Sequence, residues 1–207
     1  GTEQNNLFLT IVVLTVILFS ASGYAQTVTI GKQVWTSNNL NVDTYRNGDV
    51  IPQVQDRAAW GKLKTGAWCY YDNDSSNGTK YGKLYNWYAV NDPRGLAPNG
   101  YRVPTDVEWT KLTDYLGGEN KAGKKIKNTS GWRNDGNGTN SSGFSGLPGG
   151  QRDSDGTFNS IGGGYLWSSA ENDAANAWYR GLSGWDGKVG RYYSNKRIGF
   201  SVRCLRD

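Results

Sequence analysis

The sequence predicts a mixed α+β fold with two main helices, short antiparallel sheets and long ordered loops. The first reason is composition. The 207-residue chain holds 9 Trp, 13 Tyr and 29 Gly, with few aliphatic runs after its beginning, so large flat side chains must fill the core of a loop-rich chain. The second is that helical signals gather at only two places. The third is that short apolar stretches bounded by Gly, Asn and Asp recur along the chain, as strands joined by tight turns do.

Leu7 to Ala21 is an almost uncharged apolar run, shorter than the roughly 20 residues a membrane span needs. Small residues at Gly23 and Ala25 then suit cleavage after Ala25, the layout of a secretory signal. Residues 1–25 are therefore expected to be an export signal and residues 26–207 a single domain, with membrane contact only through the uncleaved signal. Thr27–Ile30 and Gln33–Trp35 should form a hairpin turning at Gly31-Lys32. Ala67–Tyr71 reads as a strand closed by the turn-rich Asp72–Thr79. A first helix is expected over Gly82–Val90, where Leu84, Trp87 and Tyr88 share a face at helical spacing.

The second helix carries the stronger signal. Thr105-Asp106-Val107-Glu108 is a capping box, in which Thr105 caps the Glu108 amide and Glu108 reaches back. Trp109, Leu112 and Leu116 form its apolar face and Gly117-Gly118 ends it. Arg102 and Glu108 flank the helix start, placed for a buried pair that pins it to a sheet. Asn128–Gly164 is rich in Gly, Ser, Asn and Asp, yet Trp132, Phe144, Leu147 and Phe158 recur within it, so it is read as ordered loop. Strands are expected at Tyr165–Ser168, Ala175–Leu182, Lys188–Asn195 and Gly199–Leu205, with Gly184-Trp185-Asp186-Gly187 as a hairpin turn.

Composition removes several function classes. The net charge is +5, but only Lys121–Lys127 (KAGKKIK) clusters, and without interleaved aromatics it suits a solvated helical face rather than nucleic acid. No nucleic-acid partner is expected. With no His and two Cys, zinc sites and His-based triads are excluded. In an exported chain those cysteines, Cys69 and Cys204, are expected to form a disulfide. The strings Asp72–Gly78, Asn134–Gly138 and Asp153–Gly156 resemble oxygen-rich calcium loops, but no Glu closes the first, and Asx-rich turns produce such strings without metal. No metal site and no cofactor is expected, calcium being the one alternative. Scattered carboxylates such as Asp153 and Asp155 give no acid–base pair, so an enzyme is not expected.

The segment Arg102-Val103-Pro104-Thr105-Asp106-Val107-Glu108-Trp109 resembles the R-[LV]-P-T-x-x-E-W signature of the formylglycine-generating-enzyme branch of the C-type lectin fold. Tyr165–Ser169 (YLWSS) and Gly199–Cys204 (GFSVRC) extend the likeness. Gly31–Leu40, Gly82–Val90, Gly100–Trp109, Ser142–Gly150 and the ending together resemble the Fibrobacter succinogenes major paralogous domain, a family of secreted proteins abundant in Bacteroidota and Fibrobacteres. The resemblance covers Gly31 to Asp207 and implies a C-type-lectin-like fold. Formylglycine-generating enzymes use a cysteine pair with copper near the end of the domain. Here Cys204 stands alone there, so oxidase chemistry is not expected.

In that fold, ligands meet the long-loop region and its neighbouring strands, which the resemblance places between about Asn172 and Asn195. The candidate ligand-binding residues are Asn172, Asp173, Asn176, Trp178, Tyr179, Arg180, Ser183, Trp185, Asp186, Arg191, Tyr192, Tyr193 and Asn195. Rigid aromatic area with adaptable hydrogen bonding is what recognition surfaces favour. The expectation is a secreted or surface-displayed module for a surface glycan or a protein, with a structural subunit of an extracellular assembly as the alternative. The ending also resembles the variable region of retroelement-diversified proteins, in which Asn, Tyr, Ser and Asp accumulate at exposed sites. Trp109, Trp167, Phe200 and Arg203 are read as scaffold.

Overall fold

The computed structural model describes residues 26–207; the export signal expected over residues 1–25 lies outside them. The first hairpin forms as its sequence predicts. Strands β1 (Thr27–Ile30) and β2 (Gln33–Thr36) pair antiparallel with Ile30 opposite Gln33, and Gly31 turns between them at φ 62°, where a Cβ would be strained. After irregular chain, α1 (Arg57–Trp60) starts where the Asp56 side chain accepts from the Ala59 N–H.

The middle of the chain departs from expectation. The strand over Ala67–Tyr71 shrinks to β3 (Trp68–Cys69), and the turn-rich stretch after it contains helix α2 (Ser75–Tyr81), capped by Asp74 accepting from the Ser76 N–H. Asn77 and Gly78 are weak helix formers and conceal it; Gly78 is required because a Cβ there would overlap the Tyr70 ring. The helix expected over Gly82–Val90 is split. Leu84–Tyr85 forms β4, paired to β3 with Trp68 opposite Tyr85, and only Trp87–Val90 is helical (α3), capped by Asn86. The cause is that Leu84 and Trp87 serve different cores. Leu84 packs with Trp60 and Cys69, Trp87 with Tyr85 and Trp167.

The second helix agrees with the sequence. After β5 (Tyr101–Arg102), α4 (Asp106–Tyr115) begins with both halves of the capping box, the Glu108 N–H donating to Thr105 Oγ1 and the Thr105 N–H to Glu108 Oε2. Trp109, Leu112 and Leu116 are buried. Arg102 Nη2 meets Glu108 Oε1 at 2.7 Å, but with the Arg102 side chain 40 % exposed the pair sits at the surface, not in the core. The lysine cluster lies on α5 (Glu119–Ile126), and Lys127 just after it is buried.

Residues 128–163 are ordered, with Trp132 and Phe144 buried and a small ribbon of β6 (Gln151–Arg152) and β7 (Phe158–Asn159). Then come β8 (Gly164–Glu171), β9 (Asn176–Leu182) and β10 (Val189–Asn195), an antiparallel sheet in the order β10-β9-β8. The strand expected over Gly199–Leu205 is instead a run of single bridges: Gly199 to Arg152, Phe200 to Tyr85, Ser201 to Leu166. Each residue joins a different element. Only β11 (Leu205–Arg206) is regular, inserted between β2 and β5 in the sheet β1-β2-β11-β5. The described residues thus form an α+β structure, with five α-helices and short antiparallel sheets among them.

Buried polar groups hold the irregular chain. Indole N–H groups of Trp60, Trp68, Trp87 and Trp167 donate to the carbonyls of Arg197, Ile51, Ser168 and Tyr85, so each ring fills the core and ties a loop to it. Arg203 is fully buried and donates to Asn39 Oδ1 and to the carbonyls of Thr36, Phe144 and Ser145. That is the scaffold role expected of it.

The expected disulfide is not formed. Cys69 and Cys204 are both buried free thiols. Cys69 packs beside Trp60 and Leu84, whereas Cys204 belongs to the cluster of Tyr85, Trp167 and Phe200. Burial pushes both thiols up to about 12, so they behave as small apolar groups. Among the described residues no helix is long and apolar enough to cross a membrane.

Candidate ligand-binding site

The register of the β10-β9-β8 sheet decides where each candidate residue points. Tyr192 stands opposite Tyr179, which stands opposite Trp167; Tyr193 stands opposite Trp178, and Arg191 opposite Arg180. Successive side chains alternate between faces, so the candidates divide into groups.

One face carries Tyr165, Tyr179 and Tyr192. Tyr165 and Tyr179 lie 6.2 Å apart between ring centroids, Tyr179 and Tyr192 5.8 Å. A Cβ at Gly190 would overlap the Tyr192 ring; the glycine lets that ring lie flat on the sheet. Beyond it the chain turns through Ser183–Lys188 and encloses a cavity of about 280 Å³. Gly162, Gly163, Gly181 and Gly184 line its base, and Tyr165, Tyr192 and Trp185 its walls. Trp185 is 77 % exposed and Tyr192 54 %. Arg133, Lys188 and Asp186 supply its charges, and Ser160 and Ser183 its hydroxyls.

The turn that carries Trp185 is held from below by Lys127. Its buried ammonium donates to the Ser183 carbonyl at 2.9 Å and the Asp186 carbonyl at 2.6 Å, and lies 5.0 Å from the Trp132 ring centroid. Burial draws Lys127 below its ordinary value, partly offset by the Asp186 charge. Within the turn, Ser183 Oγ accepts from the Trp185 N–H and Asp186 Oδ1 from the Lys188 N–H.

The opposite face is structural at its inner end. Arg180 is 3 % exposed and meets Asp106 Oδ1 at 2.6 Å, while Arg191 meets Asp106 Oδ2 at 2.9 Å. Burial pushes the Asp106 carboxyl up, but Arg191 and Arg180 outweigh it and hold the group below the usual value. Burial draws Arg180 down; a guanidinium starts so far above neutrality that the pair stays charged. Arg180 therefore fixes the sheet to the first turn of α4 and is not free to meet a ligand. The Arg191 guanidinium covers the Trp178 ring at 3.6 Å, and Tyr193 meets Trp178 edge-on, forming a second, shallower aromatic surface.

Asn172, Asp173 and Asn176 sit at the β8–β9 turn. There the Asp173 carboxylate accepts from both Asn side chains and from the Ala175 and Asn176 amides, and Asn176 above all holds it below its usual value. Asn195 Oδ1 accepts from the Arg197 N–H. The cavity thus gathers Ser183, Trp185, Asp186 and Tyr192 from the expected set, with Tyr179 beside Tyr192. Asn172, Asp173, Asn176, Trp178, Arg180, Arg191, Tyr193 and Asn195 lie elsewhere. Arg133, Ser160, Tyr165 and Lys188 were not anticipated. Lys188 was within reach, adjoining the turn; Arg133 and Ser160 come from the long loop, where no spacing marks them.

The acidic strings are occupied by structure. Asp74 caps α2, Asp153 accepts from Gln151 and Asn159, and Asp155 pairs with Arg57 and Thr157. Among the described residues no three acidic or cysteine side chains converge as metal ligands.

The profile of the Fibrobacter succinogenes major domain matches residues 28–206. The chain belongs to that family. No curated protein and no solved structure matches it. Apart from Thr27 at the start of β1, the matched span takes in every sheet, both long helices and all the residues that line the cavity, so the candidate site is part of this Fibrobacter succinogenes major domain and not an appendage to it.

Proposed function

We propose that this Fibrobacter succinogenes major domain is a secreted or surface-displayed binding module of C-type-lectin-like fold, taking a glycan or protein ligand in the cavity beside the β9–β10 turn. One observation carries the reading: Trp185 and Tyr192 stand largely exposed at the mouth of a glycine-based cavity on a turn fixed by a buried lysine. Exposed indole area costs solubility, and a rigid aromatic rim around a concavity is what ligand sites present. Recognition is cheaper in entropy when the rim is already ordered.

The test is titration of the protein with a panel of oligosaccharides and peptides, followed by tryptophan fluorescence. Binding that shifts the emission and disappears in Trp185→Ala supports the reading. Ligand binding unaffected by both Trp185→Ala and Tyr192→Ala removes the cavity from it.

The second reading, a structural subunit of an extracellular assembly, draws support from β10, an edge strand that presents Arg191, Tyr192 and Tyr193 exposed. Edge strands of this kind template pairing with another chain. Concentration-dependent self-association in sedimentation, abolished by a proline within β10, would favour that reading. Retroelement diversification fits the binding reading at Ser183, Asp186 and Tyr192, which line the cavity; sequencing the gene's 3′ end across a population tests it.

A further inference from the structure

The cavity carries two cations that no group in the described chain neutralises. Arg133 and Lys188 both line it and both are exposed. Among the described residues the Arg133 guanidinium has no ion-pair or hydrogen-bond partner, whereas every other arginine donates to a carboxylate, a carbonyl or another side chain. The Lys188 ammonium likewise has no partner there; Asp186, the lining carboxylate, accepts instead from the Lys188 backbone N–H. Two cations against one carboxylate leave the cavity positive.

The backbone around Arg133 is shaped to lay its side chain along the cavity. A Cβ at Gly162 would overlap the Arg133 stem, and one at Gly184 would press on Arg133 Cβ at 3.0 Å. Gly162 also stands at φ 92°, where other residues are strained. Gly162 therefore leaves room for the stem of an arginine whose guanidinium has no partner among the described residues, while Gly184 lets the chain pass close to the Gly162 carbonyl and the Arg133 backbone. At about 280 Å³ the space is small beside the roughly 300–1,000 Å³ of ligand pockets, enough for a single ring of a longer chain. Trp185 and Tyr192 supply exposed aromatic area for C–H groups, and Arg133 and Lys188 supply charged donors.

We propose that the cavity receives an acidic saccharide residue, with its ring against Trp185 and Tyr192 and its carboxylate or sulfate between Arg133 and Lys188. The proposal rests on the binding-module reading. The guanidinium fork suits either oxyanion, and both cations, being exposed, should act more weakly as salt screens them.

Two matched pairs of probes separate the sources of the charge: tetragalacturonate with its methyl ester, and sulfated dextran oligomers with plain dextran oligomers. Binding is read by tryptophan fluorescence and calorimetry on the native protein, Arg133→Gln and Lys188→Gln, with thermal melts confirming that each variant folds. The expected result is preference for the charged member of at least one pair. Each variant should weaken that binding about tenfold, as loss of a charge-assisted bond does, and added NaCl should weaken it too. Carboxylate or sulfate is then assigned by which pair discriminates. Equal binding of charged and neutral members, lost in Trp185→Ala, overturns the acidic ligand and leaves the binding module standing. Acid binding untouched in both charge variants overturns the assignment to this cavity. No binding of any of the four probes overturns the saccharide proposal, and the peptide arm of the panel above then decides whether the module reading falls with it.

Discussion

Arg180 Nη1 meets Asp106 Oδ1 at 2.6 Å in a nearly closed setting, and this one pair joins the middle of β9 to the first residue of α4. Its carboxylate partner is held below the ordinary value near 3.9. A depressed carboxyl contributes stability that is complete above the unfolded value and is lost as pH falls through the folded value. The melting temperature should therefore drop on acidification below about pH 4. Asp106→Asn should be less stable at pH 7 by about 3 kcal/mol, the cost of breaking a buried pair, and should show a shallower acid drop. Some slope will remain, because Glu108 is also held down, by Arg102. Identical acid profiles for the two proteins would count against the pair's role.

Lys127→Met should leave the Ser183 and Asp186 carbonyls without their shared donor. Two part-buried acceptors that lose a charged donor cost roughly 1 kcal/mol each, the low end for an unmade bond, or about 2–4 °C of melting temperature per kcal/mol in a domain this size. The loss should be local. Hydrogen exchange is expected to quicken in residues 183–188 and to stay unchanged in α4.

Seven of the nine tryptophans are buried, and Trp185 is the most exposed. Trp185→Ala should remove most of the acrylamide-quenchable emission while moving the melting temperature by less than about 2 °C, as surface changes do. An unchanged quenching profile would mean that the indole is covered in solution.

Both thiols should resist an aromatic disulfide reagent in the native protein, since burial keeps them protonated. In denaturant two free thiols should titrate without reductant. A count of zero there would restore the bridge that the two cysteines suggest in an exported chain.

What could be read in advance follows from how local each signal is. The α4 capping box is written within four residues and needs nothing else. The β1–β2 turn is equally local. The failed helix over Gly82–Val90 has helical periodicity, but Leu84 and Tyr85 are claimed by β3, and pairing with distant chain overrides a local pattern. The cysteines show the same limit, since two clusters that the sequence does not distinguish keep them separate. At the site, the structure leaves Trp185 and Tyr192 exposed, whereas Arg180 is buried against Asp106, 74 positions away, a pairing that no local spacing reveals. Arg133 reaches the cavity through the long loop, whose course depends on buried rings and not on its own composition.

The Lys127 ammonium grips main-chain oxygens at Ser183 and Asp186 and no side chain of either. Such an anchor holds the turn by its main chain, and of the turn's side chains the Asp186 carboxylate acts on it through its charge. Any residues at these two positions would offer the same carbonyls, but the turn also rests on Ser183 Oγ and Asp186 Oδ1 as acceptors, so it keeps its shape only where those acceptors are kept. The cost of ordering this turn is thereby shared between a lysine that lies outside it and two side chains of its own.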